Sequence, residues 1–409
     1  MEAYRQNWGG IGTGLLIVAA LTPSTHEITL VDENIDALDF DAGYDLAGIT
    51  CMTQQAPRAY EIADRLRQRG TLVVLGGIHP TILPQEAAMH ADAVVVGEAE
   101  DQWQRVLSDA RRGTLHRFYR STSPTDMSRS PIPAYELLRG KPYRIIWVQS
   151  SRGCPHDCEF CAASRIFGKK YRHKKVKQVS QEVAAAKSNL GNVRIGFADD
   201  NLSTNPSFTM RLLNEISDYN VRYIAQGDIS IAEKSNLLET LGRTGCVYVF
   251  IGLESLNTNN LQSLDKIGWK ARKLKAYSQN IRRIQEYGIG VIGAFIVGLE
   301  SDTPSVFSEI EAFAYDNYLA GVQVTAATPF PGTRLREKYL QKDRILTSDW
   351  ATYTLWNVVI RHPLLSAKDI EDGIVSIYKR LYSKQYSDRN REFMKGLLKK
   401  RIETQTQLG

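Results

Sequence analysis

The sequence predicts an α/β protein in three parts: an amino-terminal doubly wound parallel sheet, a barrel built from six strand–helix units, and a helical tail. Three observations predict it. Short β-rich runs alternate with amphipathic helical stretches along most of the chain, the pattern of parallel sheets with helical crossovers. Glycines and polar residues gather just after those runs, where ligands of parallel sheets sit. Three of the five cysteines fall in one stretch, Cys154-Pro155-His156-Asp157-Cys158-Glu159-Phe160-Cys161.

The first domain is read over residues 1–120. A helix-like segment covers Gly14 to Leu21. Glu27 to Asp32 and Asp45 to Thr50 read as strands. Ala56 to Gln68 reads as a helix, with Ala59, Ile62, Ala63 and Leu66 on one face and Gly70 as its stop. Strand Thr71 to Leu75, the turn Gly76-Gly77, a short helix through Ala87, and strand Ala93 to Val96 follow. Three loops meet at the carboxyl ends of these strands: Thr50 to Gln55, Gly76 to Thr81, and Gly97-Glu98-Ala99-Glu100. Glycines there let backbone approach a bulky ligand closely. Residues 121–142, with Pro124, Pro131, Pro133 and Pro142, read as a linker.

The barrel is read over residues 143–335. Its six strands are Tyr143 to Ser150, Arg194 to Ala198, Tyr223 to Gly227, Cys246 to Gly252, Gly290 to Gly298 and Val322 to Ala326. Asp199-Asp200-Asn201, Gln226 and Leu253-Glu254-Ser255 stand at strand ends. The tail, residues 336–409, opens a helix at Ser366 and Asp369. Ile370, Ile374, Ile377, Tyr378, Leu381 and Tyr382 recur at helical spacing, a face that packs on the barrel.

The cysteine spacing is C-x3-C-x2-C. Three thiolates on a tight loop can converge on one metal centre, and a cubane iron–sulfur cluster takes four cysteines when fully ligated. Cys51 and Cys246 are about a hundred residues away, so one iron would keep an open position, the mark of a site that does chemistry. The alternative is a closed zinc knot. His156 is inside the loop and badly placed to join it, which leaves His173 as the freer fourth ligand.

The loop resembles the cluster loop of the radical S-adenosylmethionine (SAM) enzymes, with Phe160 in the aromatic place before the last cysteine. The resemblance implies that Cys154, Cys158 and Cys161 hold a [4Fe-4S] cluster. It implies that SAM chelates the open iron and is cleaved to a 5'-deoxyadenosyl radical, in a partial (β/α)6 TIM-type barrel. Phe197 to Asn201 match the phrase F-x-D-D-N of one branch, which implies SAM contacts from Asp199, Asp200 and Asn201; a helix-capping cluster is the alternative. Glu254 and Gln226 are the catalytic candidates, placed near SAM or substrate, with a satisfied polar residue under the rim as the alternative for Glu254. Gly293 is implied in the element that packs on adenine, though core packing explains it equally. In the same branch an amino-terminal Rossmann-like domain binds cobalamin. Leu75 to Thr81 and Val96 to Glu100 resemble it, which implies corrin contacts from Gly76, Gly77, His79, Thr81, Gly97 and Glu98. No D-x-H-x-x-G is present, so His79 is not assigned as a cobalt ligand. Glu98 has a helix cap as its alternative. Relatives usually open with a strand and an Asn-Pro-Pro-like turn, whereas this chain starts at Met1-Glu2-Ala3-Tyr4. The expectation is that this first strand is missing.

The composition, 43% apolar and 23% charged, is that of a globular protein, and the net charge of +6 is modest. No apolar run reaches the roughly 18 residues of a membrane span. The cysteine usage suits a reduced, cytoplasmic setting. Arg165 to Arg172 reads as a solvated, basic helix face. Lys395 to Arg401 lacks the aromatics of a nucleic-acid platform, and nucleic acid is not the expected partner. The expected function is cobalamin-dependent C-methylation of a small molecule, with flavodoxin or ferredoxin as an external electron donor. The alternatives are a radical rearrangement, cyclisation or other group transfer without cobalamin, and a non-catalytic iron–sulfur redox sensor.

Overall fold

A computed structural model describes residues 11–191 and 193–407. The predicted start at Met1 to Tyr4 lies outside the described residues. The chain divides into two compact units, Met1–Gly153 with Ala162–Gly196, and Cys154–Cys161 with Phe197–Gly409.

In the first unit, four parallel strands lie side by side in chain order: β1 (Leu46–Thr50), β2 (Leu72–Gly76), β3 (Ala93–Val96) and β4 (Phe118–Arg120). Leu46 pairs with Leu72 and Thr50 with Gly76. Successive side chains of a strand point to opposite faces, and both faces here are covered. Val73, Leu75 and Val94 meet Ala56, Ala59, Ile62, Ala63 and Leu66 of helix α2 (Ala56–Gln68). On the other face Val74, Ala93 and Val95 meet Trp103 and Val106 of helix α5 (Trp103–Arg111). Val18 and Leu21 of helix α1 (Thr13–Leu21) join that second cluster. Each fully buried Leu or Ile contributes about 1.5–3 kcal/mol. Helices α3 (Ile78–Ile82) and α4 (Pro84–Ala87) divide the predicted short helix in two.

Two points of the sequence reading are corrected here. Glu27 to Asp32 is not a strand. Its end instead forms a local turn, with the Ile35 and Asp36 amides donating to the Asp32 carbonyl. Strand β4 and helix α5 fall where no element was read. Residues 121–142, read as a linker, contain two 3-10 turns, Met127–Arg129 and Tyr135–Leu138, with Met127, Tyr135 and Leu138 buried. Pro blocks regular structure there, yet apolar residues between the prolines still find the core.

The second sheet has six strands in chain order: β5 (Ile145–Val148), β8 (Arg194–Phe197), β9 (Tyr223–Gly227), β10 (Cys246–Glu254), β11 (Gly290–Val297) and β12 (Gly321–Ala326). Strands β9 to β12 pair in parallel. These are the six predicted strands. Between β5 and β8 a small antiparallel ribbon joins β6 (Ser151–Arg152) to β7 (Arg172–His173). The predicted basic helix after the cysteines shrinks to Ala163–Ile166, and Arg172 enters the ribbon instead.

The open sheet ends at β12, an edge that invites pairing with another chain. The tail helix Ala367–Leu381, capped by Ser366 and Asp369, covers it. Tyr378 Oη accepts from the Val324 N–H at 3.1 Å and donates to the Val324 carbonyl at 3.2 Å. Tyr382 Oη treats Val322 alike, at 3.2 and 2.9 Å. Four residues along a helix rise about 6 Å, and two along a strand about 6.6 Å, so the spacings match. Replacing both tyrosines by Phe should cost about 1–3 kcal/mol and promote association through the bared edge. Denaturant unfolding and light scattering would read this, and an unchanged, monodisperse variant would refute it. Among the described residues no helix is long and apolar enough to cross a membrane.

Candidate functional site

In the second unit the cysteine loop is held by its neighbours on both flanks. The Glu159 N–H donates to the Leu264 carbonyl at 2.8 Å, and Cys158 forms a β-bridge with Asp265. The Leu335 N–H donates to the Glu159 carbonyl at 2.9 Å. Arg334 pairs with Asp157, and Lys338 with Glu159 at 3.3 Å. All three loop cysteines are outside any disulfide and half-buried.

Burial pushes the Cys154 thiol up to about 11 and the Cys158 thiol up to about 12. The charges of Cys154 and Cys161 add to this at Cys158, while Lys270 opposes it. Bound metal reverses this preference, because a coordinating thiol is deprotonated. Three mutually close thiols on one pinned loop therefore suit a multi-iron centre. Among the described residues, no three His, Cys, Asp or Glu side chains form a cage for a single metal ion. His156 places Nε2 3.1 Å from Asp228 and its ring against Trp269, with centroids 4.8 Å apart. His173 directs Nδ1 to the Lys174 carbonyl at 2.8 Å. The zinc reading gains no support from either histidine.

Polar residues crowd the carboxyl ends of β8, β9 and β10. Asp199 is buried and Asp200 half-buried. Asn201 does two jobs: its Oδ1 accepts from the Ser203 N–H at 3.0 Å, capping the turn Leu202–Thr204, and its Nδ2 donates to Asp228 at 2.6 Å. The capping alternative thus holds alongside a place on the rim. Gln226 sits on β9 in register with Phe250. Burial disfavours the charge of Asp228, but hydrogen bonds from His156, Ser230 and Asn201 outweigh it and hold the carboxyl well below the usual range.

Glu254 closes β10 in the left-handed region, at φ 66°, a conformation in which a residue with a Cβ is strained. Its Oε1 lies 3.0 Å from Lys270 Nζ, which also donates to the Gly252 carbonyl at 3.1 Å. Both side chains are about nine-tenths buried. Burial disfavours the Lys270 charge, yet Glu254 beside it raises the pKa above the ordinary lysine value. Gly293 is mid-strand in β11, and a Cβ there would meet Leu319 at 2.9 Å and Leu253 at 3.1 Å, so packing accounts for this glycine.

Sequence reasoning missed Asp228 and Lys270. Asp228 carried a signal, since it directly follows a barrel strand. Lys270 carried none: it stands among Lys266, Arg272, Lys273 and Lys275, and only packing singles it out.

In the first unit, Gly77 has φ +92°, and a Cβ there would run into Thr50 Oγ1. Gly97 has φ +94° with open space where a Cβ would project. Its N–H donates to Thr81 Oγ1 at 2.9 Å. Gly76 ends β2 in register with Thr50. Gly97 thus leaves open space beside its Cα, whereas at Gly77 that space is taken by Thr50 and Cys51. His79 is fully buried, with Nε2 3.1 Å from Glu86 Oε1, and its side chain belongs to the core. Burial lowers its pKa, against the pull of Glu86. Glu98 does not cap a helix; it pairs with Arg152 at 2.6 Å and Arg172 at 2.9 Å.

Comparison with known proteins agrees with both halves. The radical SAM superfamily is matched over residues 148–314 and the B12 binding domain over residues 11–107. Bacteriochlorophyllide d C-12(1)-methyltransferase of Chlorobaculum tepidum is 30% identical over 377 residues, covering 90% of this chain and 82% of its own. The C-8(2)-methyltransferase of the same organism is 31% identical over 382 residues, covering 88% and 84%. Among solved structures, the fold resembles the radical SAM methyltransferase TsrM from Kitasatospora setae with cobalamin and a [4Fe-4S] cluster bound. That match has a TM-score of 0.62 at 16% identity, covering 81% of this chain and 74% of the other.

Proposed function

The chain belongs to the radical SAM superfamily, in the branch with an amino-terminal B12-binding domain, and from that premise we propose that it methylates a carbon of a small molecule in a cobalamin-dependent reaction. When bound, the [4Fe-4S] cluster with SAM supplies a 5'-deoxyadenosyl radical and cobalamin supplies the methyl group. The observation that carries the proposal is one chain holding a pinned three-thiol loop, a polar rim at strand ends, and glycine-lined strand ends in a separate parallel sheet.

Cys154, Cys158 and Cys161 would ligate the cluster, with Phe160 packing beside them. Asp199, Asp200 and Asn201 would receive the amino end of SAM, and Asp228 would hold Asn201 and His156 in place. Glu254 and Gln226 would face SAM or substrate; because Lys270 already balances Glu254, its role is orientation more than charge. Gly293 would serve by packing. Gly76, Gly77, Thr81 and Gly97 would border the corrin through backbone and hydroxyl groups. We place the domain boundaries near residues 120, 142 and 335. A flavodoxin or ferredoxin is the expected reductant, and a reduced cytoplasm the expected setting for five cysteines outside any disulfide.

Substituting Val for Gly77 would force a side chain into backbone that nearly excludes one, costing about 1–3 kcal/mol. Cobalamin affinity, read by absorbance titration, should fall at least about tenfold, or 1.4 kcal/mol. Unaltered affinity would remove Gly77 from the corrin border.

The proposal is tested with cluster-loaded protein, cobalamin, a strong reductant and SAM carrying a deuterated methyl group. Bacteriochlorophyllide d is offered first, because two relatives are named for it. A product heavier by the labelled methyl supports the proposal. Labelled methyl that never leaves SAM for any substrate in a broad panel, despite 5'-deoxyadenosine release, would favour radical chemistry without methyl transfer.

A further inference from the structure

Three charged side chains, Arg152, Glu98 and Glu100, lie buried together in the first unit, with a fourth, Arg172, half-buried beside them. Arg152 Nη1 is 2.6 Å from Glu98 Oε1, its Nη2 is 2.6 Å from Glu100 Oε1, and its Nε donates to Gln149 Oε1 at 2.7 Å. Arg172 Nη1 is 2.9 Å from Glu98 Oε2 and donates to the Thr125 carbonyl at 2.8 Å. The Thr125 N–H donates to Glu98 Oε2 at 3.0 Å, and Ser130 Oγ to Glu100 Oε1 at 3.3 Å. The side chains of Arg152, Glu98 and Glu100 are 7%, 8% and 5% exposed. Both oxygens of Glu98 are thus engaged from within.

Arg152 and Arg172 are cross-strand partners in the ribbon β6–β7. Like charges placed opposite each other destabilise a ribbon, and two pairs of residues make a marginal one. Glu98 between the guanidinium groups removes the conflict. The planar arginine fork, bonded along three edges, also fixes orientation in a way a lysine point charge cannot. Gly153 follows at φ +91°, and a Cβ there would run into the Lys170 carbonyl. Cys154 is the next residue in the chain.

We infer that Arg152, clamped by Glu98 and Glu100, is a positioning residue for the first cluster cysteine, so that the Gly97–Glu100 segment acts on the thiol loop through Arg152 and its carboxylates do not contact the corrin. The inference rests on the cluster and cobalamin reading above. It makes the segment that borders the open side of Gly97 also the anchor of the chain entering the cluster loop.

The test uses the full-length chain, with and without cluster and hydroxocobalamin, as wild type, Glu98→Gln, Glu100→Gln, Arg152→Lys and Arg152→Met. Amide hydrogen exchange over residues 151–158 should quicken about tenfold in Glu98→Gln and Arg152→Met, and less in Arg152→Lys. Iron loss to a chelator should quicken in the same order. Cobalamin affinity should stay within about threefold of wild type in Glu98→Gln. Unchanged exchange in Glu98→Gln would overturn the inference. So would a cobalamin affinity lowered more than about tenfold with exchange unaltered, which would return Glu98 to the corrin. If Glu98→Gln fails to fold, Arg152→Lys decides, since it keeps the charge and loses the fork; wild-type exchange in it refutes the clamp. Exchange in cofactor-free protein is independent of metal uptake, so a wild-type chain that takes up no iron would count against the cluster reading alone.

Discussion

Alanine at Cys158 should leave the protein folded but without its cluster. The thiol packs at the β-bridge to Asp265, and its loss removes one of three ligands that share a single loop. A cubane left with two protein thiolates has two of the four cysteines of a fully ligated cluster. Bound iron after anaerobic reconstitution should drop from about four per chain toward zero, with loss of the brown cluster absorbance. The loop itself should survive, because Arg334, Lys338 and the Leu264 carbonyl still hold Asp157 and Glu159. Iron content equal to wild type would mean that other residues hold the metal.

Methionine at Lys270 should destabilise the second unit strongly. Lys270 and Glu254 are both buried, and Lys270 is the cation 3.0 Å from that carboxylate. Removing one member of such a pair leaves an uncompensated charge and costs about 3–5 kcal/mol. For a unit of this size that lowers the melting temperature by about 6–20 °C. Glu254 also holds a left-handed backbone at φ 66°, so the lost partner adds to strain already present. The double variant Lys270→Met, Glu254→Gln should recover much of the loss, because no charge is stranded; the coupling appears as non-additivity. Thermal unfolding of the cofactor-free protein measures both. A single variant melting within about 2 °C of wild type would show the pair to be inconsequential.

Parts of this organisation were legible in the residues alone. Runs such as Cys246 to Gly252 and Gly290 to Gly298 are β-rich, end at glycine and repeat with helices between, so the strands of the half-barrel could be named one by one. The cysteine loop was legible because its chemistry is local: three ligands fit in one turn of chain. Glu27 to Asp32 misled for the converse reason. Its residues favour a strand, but a strand also needs a partner, and propensity is silent on partners. Phe118–Arg120 is too short to show a period. The charges were the least legible. Arg172 sits in a basic run that reads as solvent-facing, Lys270 among other lysines and arginines, and Glu98 in a loop that reads as ligand-facing. Only the packing, which brings each against an opposite charge from a distant stretch, reveals them as buried pairs. Asp228 was within reach, since it follows a strand end where rim residues belong.

The most direct measurement of the central claim is the fate of SAM. Wild-type protein, reconstituted without oxygen and given SAM and a strong reductant, is assayed by mass spectrometry beside Cys158→Ala. The account predicts 5'-deoxyadenosine from the wild type and none above background from the variant. A wild-type protein that carries an intact cluster and returns SAM unchanged, with bacteriochlorophyllide d and the broader substrate panel present, would contradict it.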